Sequence, residues 1–122
     1  MTTHEILVTG FGPFRDIKTN PSWLIVEHLP QEIQTKHGGT VTLVKKELPV
    51  DYRAVREFYD QPGDYRAAIH LGVSSQAVNL NLECFAFNKT SGADVQGYAP
   101  PSGVITDRVP VDSAFKTSFG AL

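Results

Sequence analysis

The sequence predicts an α/β fold, a three-layer sandwich around a mostly parallel sheet. Short apolar runs at residues 6–9 and 67–73, each bordered by or containing a glycine, have the unbroken hydrophobic pattern of strands buried on both faces of a sheet. Residues 41–48 form another strand-like run, in which two lysines and a glutamate indicate an edge or a strand end. Helical patterns separate these runs, and the alternation favours right-handed crossovers in a parallel sheet.

The two predicted helices have recognisable first residues. Asn20 can cap the first helix, and Pro21 suits its first turn, where a missing N–H group costs nothing. The apolar face of this helix continues to Ile33, and Pro30 within it is expected to kink or split the helix. Asp51 can cap the second helix.

The composition is that of an ordinary soluble globular domain. The 122 residues are 41% hydrophobic and 20% charged, which suits a single domain. The net charge of −2 gives no electrostatic reason to expect binding to nucleic acid or to an anionic membrane. Cys84 is the only cysteine, so the chain cannot form an internal disulfide, which fits a reducing compartment. No secretory signal, membrane-spanning run or metal-ligand spacing is found, so we expect a cytosolic protein without a metal or cofactor.

A stiff loop, Gly-Phe-Gly-Pro-Phe at residues 10–14, follows the first predicted strand. Arg15 stands where a dinucleotide-binding loop needs its third glycine, and no Gly-Lys-Ser/Thr follows, so neither nucleotide-binding fingerprint fits. Phe11 and Phe14 place two aromatic rings at the carboxyl end of a strand, where ligands of open α/β sheets bind. The residues alone leave two alternatives open: the rings line a pocket, or they pack into the core.

The segment at residues 72–88 carries one carboxylate, Glu83, at a break in its apolar rhythm. Val78, Leu80 and Leu82 alternate with asparagines, which is the period of a half-buried strand. After Glu83 the large apolar side chains move to odd positions, and a bulge or bend there would absorb the change. The alternative is a strand end with a solvated glutamate.

The chain beyond this segment has no long periodic run. Glycine and proline punctuate residues 89–110, which predicts a long surface excursion without regular structure. We expect residues 89–122 to be the least ordered part of the chain.

Together these motifs resemble the pyroglutamyl peptidase I family, the pyrrolidone-carboxylate peptidases, which are cysteine peptidases. The resemblance runs from residue 5 to residue 88, and more loosely to residue 117. The motifs that carry it, in the family's order, are Thr-Gly-Phe-Gly-Pro-Phe at 9–14, Asn-Pro-Ser-Trp at 20–23, Leu-Pro-Val at 48–50, His-Leu-Gly-Val-Ser at 70–74, Leu-Glu at 82–83 and Ala-Phe-Asn at 86–88.

The resemblance implies a central twisted sheet with helices on both sides, and a hydrolase that removes N-terminal pyroglutamate from peptides. It places Glu83 on the family's active-site glutamate. It places Phe11 and Phe14 on the aromatic residues that line the pyroglutamyl pocket, and Asn20 on a polar residue beside that pocket. Two flat rings can clamp a small lactam, because apolar walls with a few polar contacts are how small ligands are held.

The sequence departs from the family pattern at several positions. The family usually has a small residue at position 75, Ser or Thr at position 81, and Lys or Arg at position 84, where this chain has Ser75, Asn81 and Cys84. The loss of the basic residue is expected to change the local field around the glutamate. Arg15 and Asp16 replace glycines that are common after the aromatic loop.

The family's nucleophilic cysteine and general-base histidine lie downstream of the glutamate, on elements that this chain does not reach. Cys84 does not align with that cysteine and is predicted to be a small apolar residue in a strand. His70 is predicted to be a hydrogen-bonded core histidine. The chain is therefore identified as a C-terminally truncated, single but incomplete domain (residues 1–122) that is inactive by itself. The alternative is a non-catalytic relative that binds a small ligand or a peptide N-terminus.

Overall fold

The computed structural model describes residues 3–61 and 63–117. These residues form two compact units that divide between Val73 and Ser74, and each unit is described by itself. The single, incomplete domain stays a prediction.

The first unit is built around a four-stranded sheet with the order β2-β3-β1-β4. Strand β1 is parallel to both β3 and β4, whereas the short β2 is antiparallel to β3. The mostly parallel α/β sheet is thus confirmed, as are both helix starts. The elements are β1 (Thr3–Phe11), α1 (Pro21–His28), β2 (Glu32–Gln34), β3 (Thr40–Leu48), α2 (Tyr52–Asp60) and β4 (Ala67–His70).

The two helices lie on opposite faces of this sheet. Val8 and Thr9 are neighbours on β1, so their side chains point to opposite faces. Val8 is buried in the core cluster with Val26 of α1. Thr9 is hydrogen-bonded to His70, whose ring contacts Tyr59 of α2. The predicted three layers are therefore present in the first unit.

Helix α1 ends before Pro30, so the prediction of a kinked or split helix that continues to Ile33 is wrong. The last helical residue is His28, and Leu29 is extended, with φ −66° and ψ 150°. Proline disfavours a helical conformation in the residue before it and cannot donate the next hydrogen bond. Ile33 lies in β2, paired with Val41.

Lys45 lies on a part of β3 that has a strand on one side only. Strand β2 pairs with residues 40–42 of β3, so residues 45–47 face β1 alone among the described strands. The predicted edge is therefore present, but only at residues 45–47 of β3. The Lys45 ammonium donates to the main-chain oxygens of Glu27 (3.1 Å) and Leu29. A cation at this end of α1 satisfies terminal carbonyls and complements the helix dipole.

Strand β4 is shorter and more exposed than predicted. The expected strand over residues 67–73 is observed only as Ala67–His70, and all four residues are exposed. It is the edge strand of the sheet, paired with β1. The apolar run indicated burial on both faces, which this outermost strand of the described sheet does not have.

The second unit contains a two-stranded antiparallel sheet of β5 (Phe85–Phe87) and β6 (Ala114–Lys116). Residues 88–113 contain no helix or strand, which confirms the predicted surface excursion. The predicted strand around Val78, Leu80 and Leu82 is wrong. That segment is irregular and pairs with no strand in the described part of the chain, so its apolar phase changes outside any sheet and not at a bulge within a strand.

The side chain of Asn88 organises the long excursion after β5. It is buried, at 2% exposure. Its Oδ1 accepts hydrogen bonds from the main-chain N–H groups of Ile105 and Thr106, at 2.9 and 3.0 Å. Its Nδ2 faces the main-chain oxygens of Thr106, Val109 and Pro110, at 2.9–3.3 Å. A single amide thus satisfies backbone groups that have no sheet or helix partner. The sequence motif contained Asn88, but its spacing gave no sign of these partners.

Among the described residues, no helix has the length and apolar character needed to cross a bilayer.

We predict that Val26→Ala lowers the free energy of unfolding by about 2 kcal/mol, because it leaves a cavity in the core between α1 and the sheet. Val26 is fully buried, whereas Leu24 on the same helix is 40% exposed. Leu24→Ala is the matched control and should cost about 1 kcal/mol or less. Urea denaturation measures both values, and equal losses would show that α1 does not pack as described.

Candidate active site

The Asn20 side chain fixes the loop between β1 and α1. Asn20 is buried, and its Nδ2 donates to the main-chain oxygen of Gly12 at 3.0 Å. Its Oδ1 accepts from the backbone N–H of Ser22 at 3.0 Å and from the Ser22 hydroxyl at 2.8 Å. The Ser22 hydroxyl oxygen in turn accepts from the backbone N–H of Phe11 at 2.9 Å. The predicted N-cap is confirmed, and the cap also holds the aromatic loop.

Gly10 allows the end of β1 to approach the start of α1 closely. A Cβ atom at Gly10 would lie 2.8 Å from both Cα and N of Trp23, closer than any side chain tolerates. The loop is also attached to β3, because the Gly12 N–H donates to the main-chain oxygen of Leu48 at 2.9 Å. Close backbone approach of this kind requires glycine.

Phe11 and Phe14 are both half-buried on this loop. Phe11 is the last residue of β1, and Phe14 makes a pair of main-chain hydrogen bonds with Ile17, at 3.2 and 2.9 Å. Neither ring belongs to the core cluster around Val8. Half-buried rings on a fixed loop suit a pocket wall, but their role in binding stays a prediction.

Arg15 occupies a backbone conformation that normally belongs to glycine. It lies in the tight turn between Phe14 and Ile17 with φ 52°. A non-glycine residue in this left-handed region costs roughly 1–2 kcal/mol. The strain lies at the position where the sequence was expected to depart from the family's glycines, directly after Phe14.

Glu83 belongs to the second unit, in the irregular segment just before β5. It is exposed and forms no ion pair with any described residue. The backbone after it is anchored, because the main-chain oxygen of Cys84 accepts from the N–H of Thr117 at 2.8 Å. The Cys84 thiol is free and exposed, so the prediction that Cys84 is a residue within a strand is wrong. That Glu83 converges with Phe11 and Phe14 in one cleft stays a prediction.

His70 lies in a hydrogen-bonded cluster at the carboxyl ends of β1 and β4. Its Nδ1 is 2.8 Å from the hydroxyl oxygens of both Thr9 and Tyr59, and the Tyr59 ring packs edge-on at 5.3 Å. Desolvation lowers the pKa of His70 below its ordinary value. Burial raises the pKa of Tyr59, an effect that its hydrogen bond with Thr9 partly offsets.

The prediction of a core histidine is therefore wrong in one respect. His70 is hydrogen-bonded, as expected, but it lies on the exposed edge strand and not in the core. The contact of Tyr59 with His70 depends on the packing of α2 on the sheet, which no local sequence pattern indicates. Within the described ranges, no group of three His, Cys, Asp or Glu residues could hold a metal ion.

Comparison with known proteins defines the class to which this fold and loop belong. The sequence model of the pyroglutamyl peptidases matches residues 4–111, so the chain belongs to the pyroglutamyl peptidase family. It is 33% identical to the pyrrolidone-carboxylate peptidase of Thermococcus onnurineus, over 93% of this chain and 56% of that protein. It is 33% identical to human pyroglutamyl-peptidase 1, over 80% of this chain and 47% of that protein.

A solved structure shows the same fold. The pyrrolidone carboxyl peptidase from Thermus thermophilus superimposes with a TM-score of 0.73 and 30% identity, covering 94% of this chain and 58% of the other. The family resemblance and the fold class expected from the sequence are therefore confirmed. The chain spans about half the length of the curated relatives it matches.

We predict that Asn20→Ala lowers the free energy of unfolding by about 2 kcal/mol, since it removes a helix cap and leaves buried partners unsatisfied. Asn20→Ser should cost less, about 1 kcal/mol, because a serine can still cap α1 but has no amide to donate to Gly12. Urea denaturation compares the two variants. Equal losses would mean that the cap contributes nothing, and an unchanged stability of Asn20→Ser would mean that the bond to Gly12 contributes nothing.

We also predict that His70 makes the free energy of unfolding depend on pH. The folded-state pKa lies below the ordinary 6.5, so between these two values the unfolded chain binds more protons. This contribution to stability is complete above about pH 6.5 and is lost as the pH falls through the folded-state pKa.

The measurement for His70 is the NMR titration of its ring, with a midpoint expected below 6.5. The difference in unfolding free energy between the wild type and His70→Gln should narrow as the pH is lowered. A midpoint at or above 6.5 would contradict the prediction.

Proposed function

We propose that this chain forms the substrate-recognition part of a cysteine-type pyroglutamyl peptidase, which removes pyroglutamate from peptide N-termini. The observation that carries this proposal is the loop fixed by Asn20, which presents two half-buried rings, Phe11 and Phe14, at the carboxyl end of β1. Rings held this way can sandwich the flat lactam of pyroglutamate, and the fixed backbone limits the entropy lost on binding. Asn20 lies beside the proposed pocket and holds its loop through the bond to Gly12.

The proposed chemistry assigns Glu83 to the catalytic machinery. In a cysteine peptidase a thiolate attacks the scissile carbonyl, a histidine transfers the proton, and a carboxylate orients and charge-balances that histidine. Glu83 takes the carboxylate role in this scheme. Its exposure leaves it accessible to such a histidine, and the anchored main-chain oxygen of Cys84 fixes the backbone next to it.

We further propose that the 122-residue chain by itself lacks the nucleophile and the base. The thiol of Cys84 is exposed, and its only near polar contact in the described part of the chain is the main-chain oxygen of Leu82, at 3.9 Å. An activated thiol needs a base within hydrogen-bond reach. This observation also favours the second candidate function, a non-catalytic relative that binds a small lactam or a peptide N-terminus. A single cysteine fits a cytosolic location, which we propose as well.

We predict that the chain binds pyroglutamyl amide weakly and that Phe14→Ala reduces the affinity about tenfold, because one wall of the lactam site is lost. NMR chemical-shift titration measures both affinities. The matched control is Phe58→Ala, which removes a ring of α2 outside the loop and should leave binding unchanged. The pocket assignment fails if wild type shows no binding, or if both variants lose equally.

We predict that the purified chain does not hydrolyse a pyroglutamyl-coumarin substrate above background. General-base catalysis by Glu83 without a covalent nucleophile would accelerate the reaction only about a hundred- to ten-thousand-fold. That is too little to make amide hydrolysis visible. The fluorimetric assay is run beside Cys84→Ser. Turnover by wild type that disappears in Cys84→Ser would show that Cys84 is a nucleophile and that the chain is catalytically complete.

A further inference from the structure

The histidine of the motif at residues 70–74 has no role in the function proposed above, yet it lies beside the aromatic loop. His70 pairs with Thr9 in the parallel ladder of β1 and β4. A further ladder bond runs from the Leu71 N–H to the main-chain oxygen of Thr9, at 2.9 Å. Phe11 follows Thr9 by two residues on β1, so both side chains lie on the same face of the sheet, about 7 Å apart. An exposed imidazole therefore stands next to the position of one proposed pocket ring.

The hydrogen bonds around His70 determine which of its ring nitrogens carries the proton. Burial raises the pKa of Tyr59, and the Thr9 hydroxyl opposes this rise because it donates to the phenol oxygen. The Tyr59 hydroxyl can then donate to Nδ1 of His70, at 2.8 Å. The Thr9 hydroxyl is also 2.8 Å from Nδ1, and donation from there has the same effect. A neutral imidazole whose Nδ1 accepts a hydrogen bond carries its proton on Nε2.

The Nε2–H group is consequently available as a donor at the carboxyl end of β4. Among the described residues, its only hydrogen-bond partner is the Tyr59 oxygen at 3.4 Å, which lies closer to Nδ1. Gly72 follows His70 as Phe11 follows Thr9. A Cβ atom at Gly72 would meet no heavy atom of a described residue within 4 Å, apart from its chain neighbours. The chain after β4 therefore places no side chain beside Phe11 at this position.

Two aromatic rings alone cannot give specificity for pyroglutamate. A cyclopentane ring has nearly the same size and shape as the lactam and lacks only its N–H and carbonyl groups. An apolar pocket discriminates weakly between two such rings, whereas a polar group that pairs with the carbonyl oxygen discriminates strongly. The proposed pocket therefore requires a hydrogen-bond donor next to its rings.

We propose that His70 is a substrate-binding residue whose Nε2–H donates a hydrogen bond to the lactam carbonyl oxygen of pyroglutamate. Phe11 and Phe14 contact the faces of the lactam, and His70 binds the oxygen at its edge. The hydroxyl groups of Thr9 and Tyr59 hold the proton on Nε2. This inference rests on the pyroglutamyl pocket proposed above and adds the group that selects a lactam over an apolar ring.

Two neutral ligands test this bond. Pyroglutamyl amide and cyclopentanecarboxamide share the ring size and the carboxamide, but only the first has a lactam. By NMR chemical-shift titration, the wild type should bind pyroglutamyl amide about tenfold more tightly. His70→Phe keeps an aromatic ring without the donor, so it should lose this preference and change the affinity for cyclopentanecarboxamide less than about twofold. His70→Gln offers an amide N–H in place of Nε2–H and should restore part of the preference, about threefold.

NMR of the ring nitrogens of His70 in the wild type tests the proton position directly. At about pH 8, where the ring is neutral, Nδ1 should be unprotonated and Nε2 protonated. Pyroglutamyl amide should shift the Nε2 resonance, and cyclopentanecarboxamide should leave it unchanged. A proton on Nδ1, or equal shifts with both ligands, overturns the proposal. This measurement needs no variant, so it decides the question even if circular dichroism shows that His70→Phe is unfolded.

The outcomes separate this inference from the pocket on which it rests. If Phe14→Ala weakens the binding of pyroglutamyl amide and His70→Phe does not, the pocket stands and the role of His70 is wrong. A wild type that binds both ligands equally also overturns the role of His70 alone. A wild type that binds neither ligand overturns both the pocket and the inference.

Discussion

The close contact between the end of β1 and the start of α1 is the constraint on which the first unit depends. Gly10 leaves no room for a side chain against Trp23, and Asn20 and Ser22 bind the main chain on both sides of the turn. The residues that start the helix therefore also fix the position of the two rings. The start of α1 and the aromatic loop at residues 10–14 share the same hydrogen bonds, so neither can change without the other.

Local signals explain the parts of the fold that the sequence predicted well. A cap such as Asn20 or Asp51 acts on N–H groups two or three residues away, so the helix starts could be read from neighbouring residues. The same locality explains the error at Pro30. The helical spacing of apolar residues continues to Ile33, but Pro30 acts directly on the residue before it. The proline therefore ends the helix although the apolar spacing continues.

Burial could not be predicted in the same way, because it depends on distant partners. The alternation at residues 78–82 is a strand pattern without a strand beside it in the described chain, and the apolar run of β4 became an exposed edge. The aromatic loop was found because its residues are consecutive. The bonds of Asn20 to Gly12 and the contact of Tyr59 with His70 arise only when separate elements are packed.

The buried amide of Asn88 has a consequence for the order in which the second unit can form. Its partners lie 17 to 22 positions further along the chain. The loop must close before any of these bonds forms, and the entropic cost rises with the logarithm of its length. Once closed, one side chain satisfies groups at several points, so the bonds form or break together. Folding of this unit is therefore expected to be limited by a single long-range search, not by propagation of regular structure.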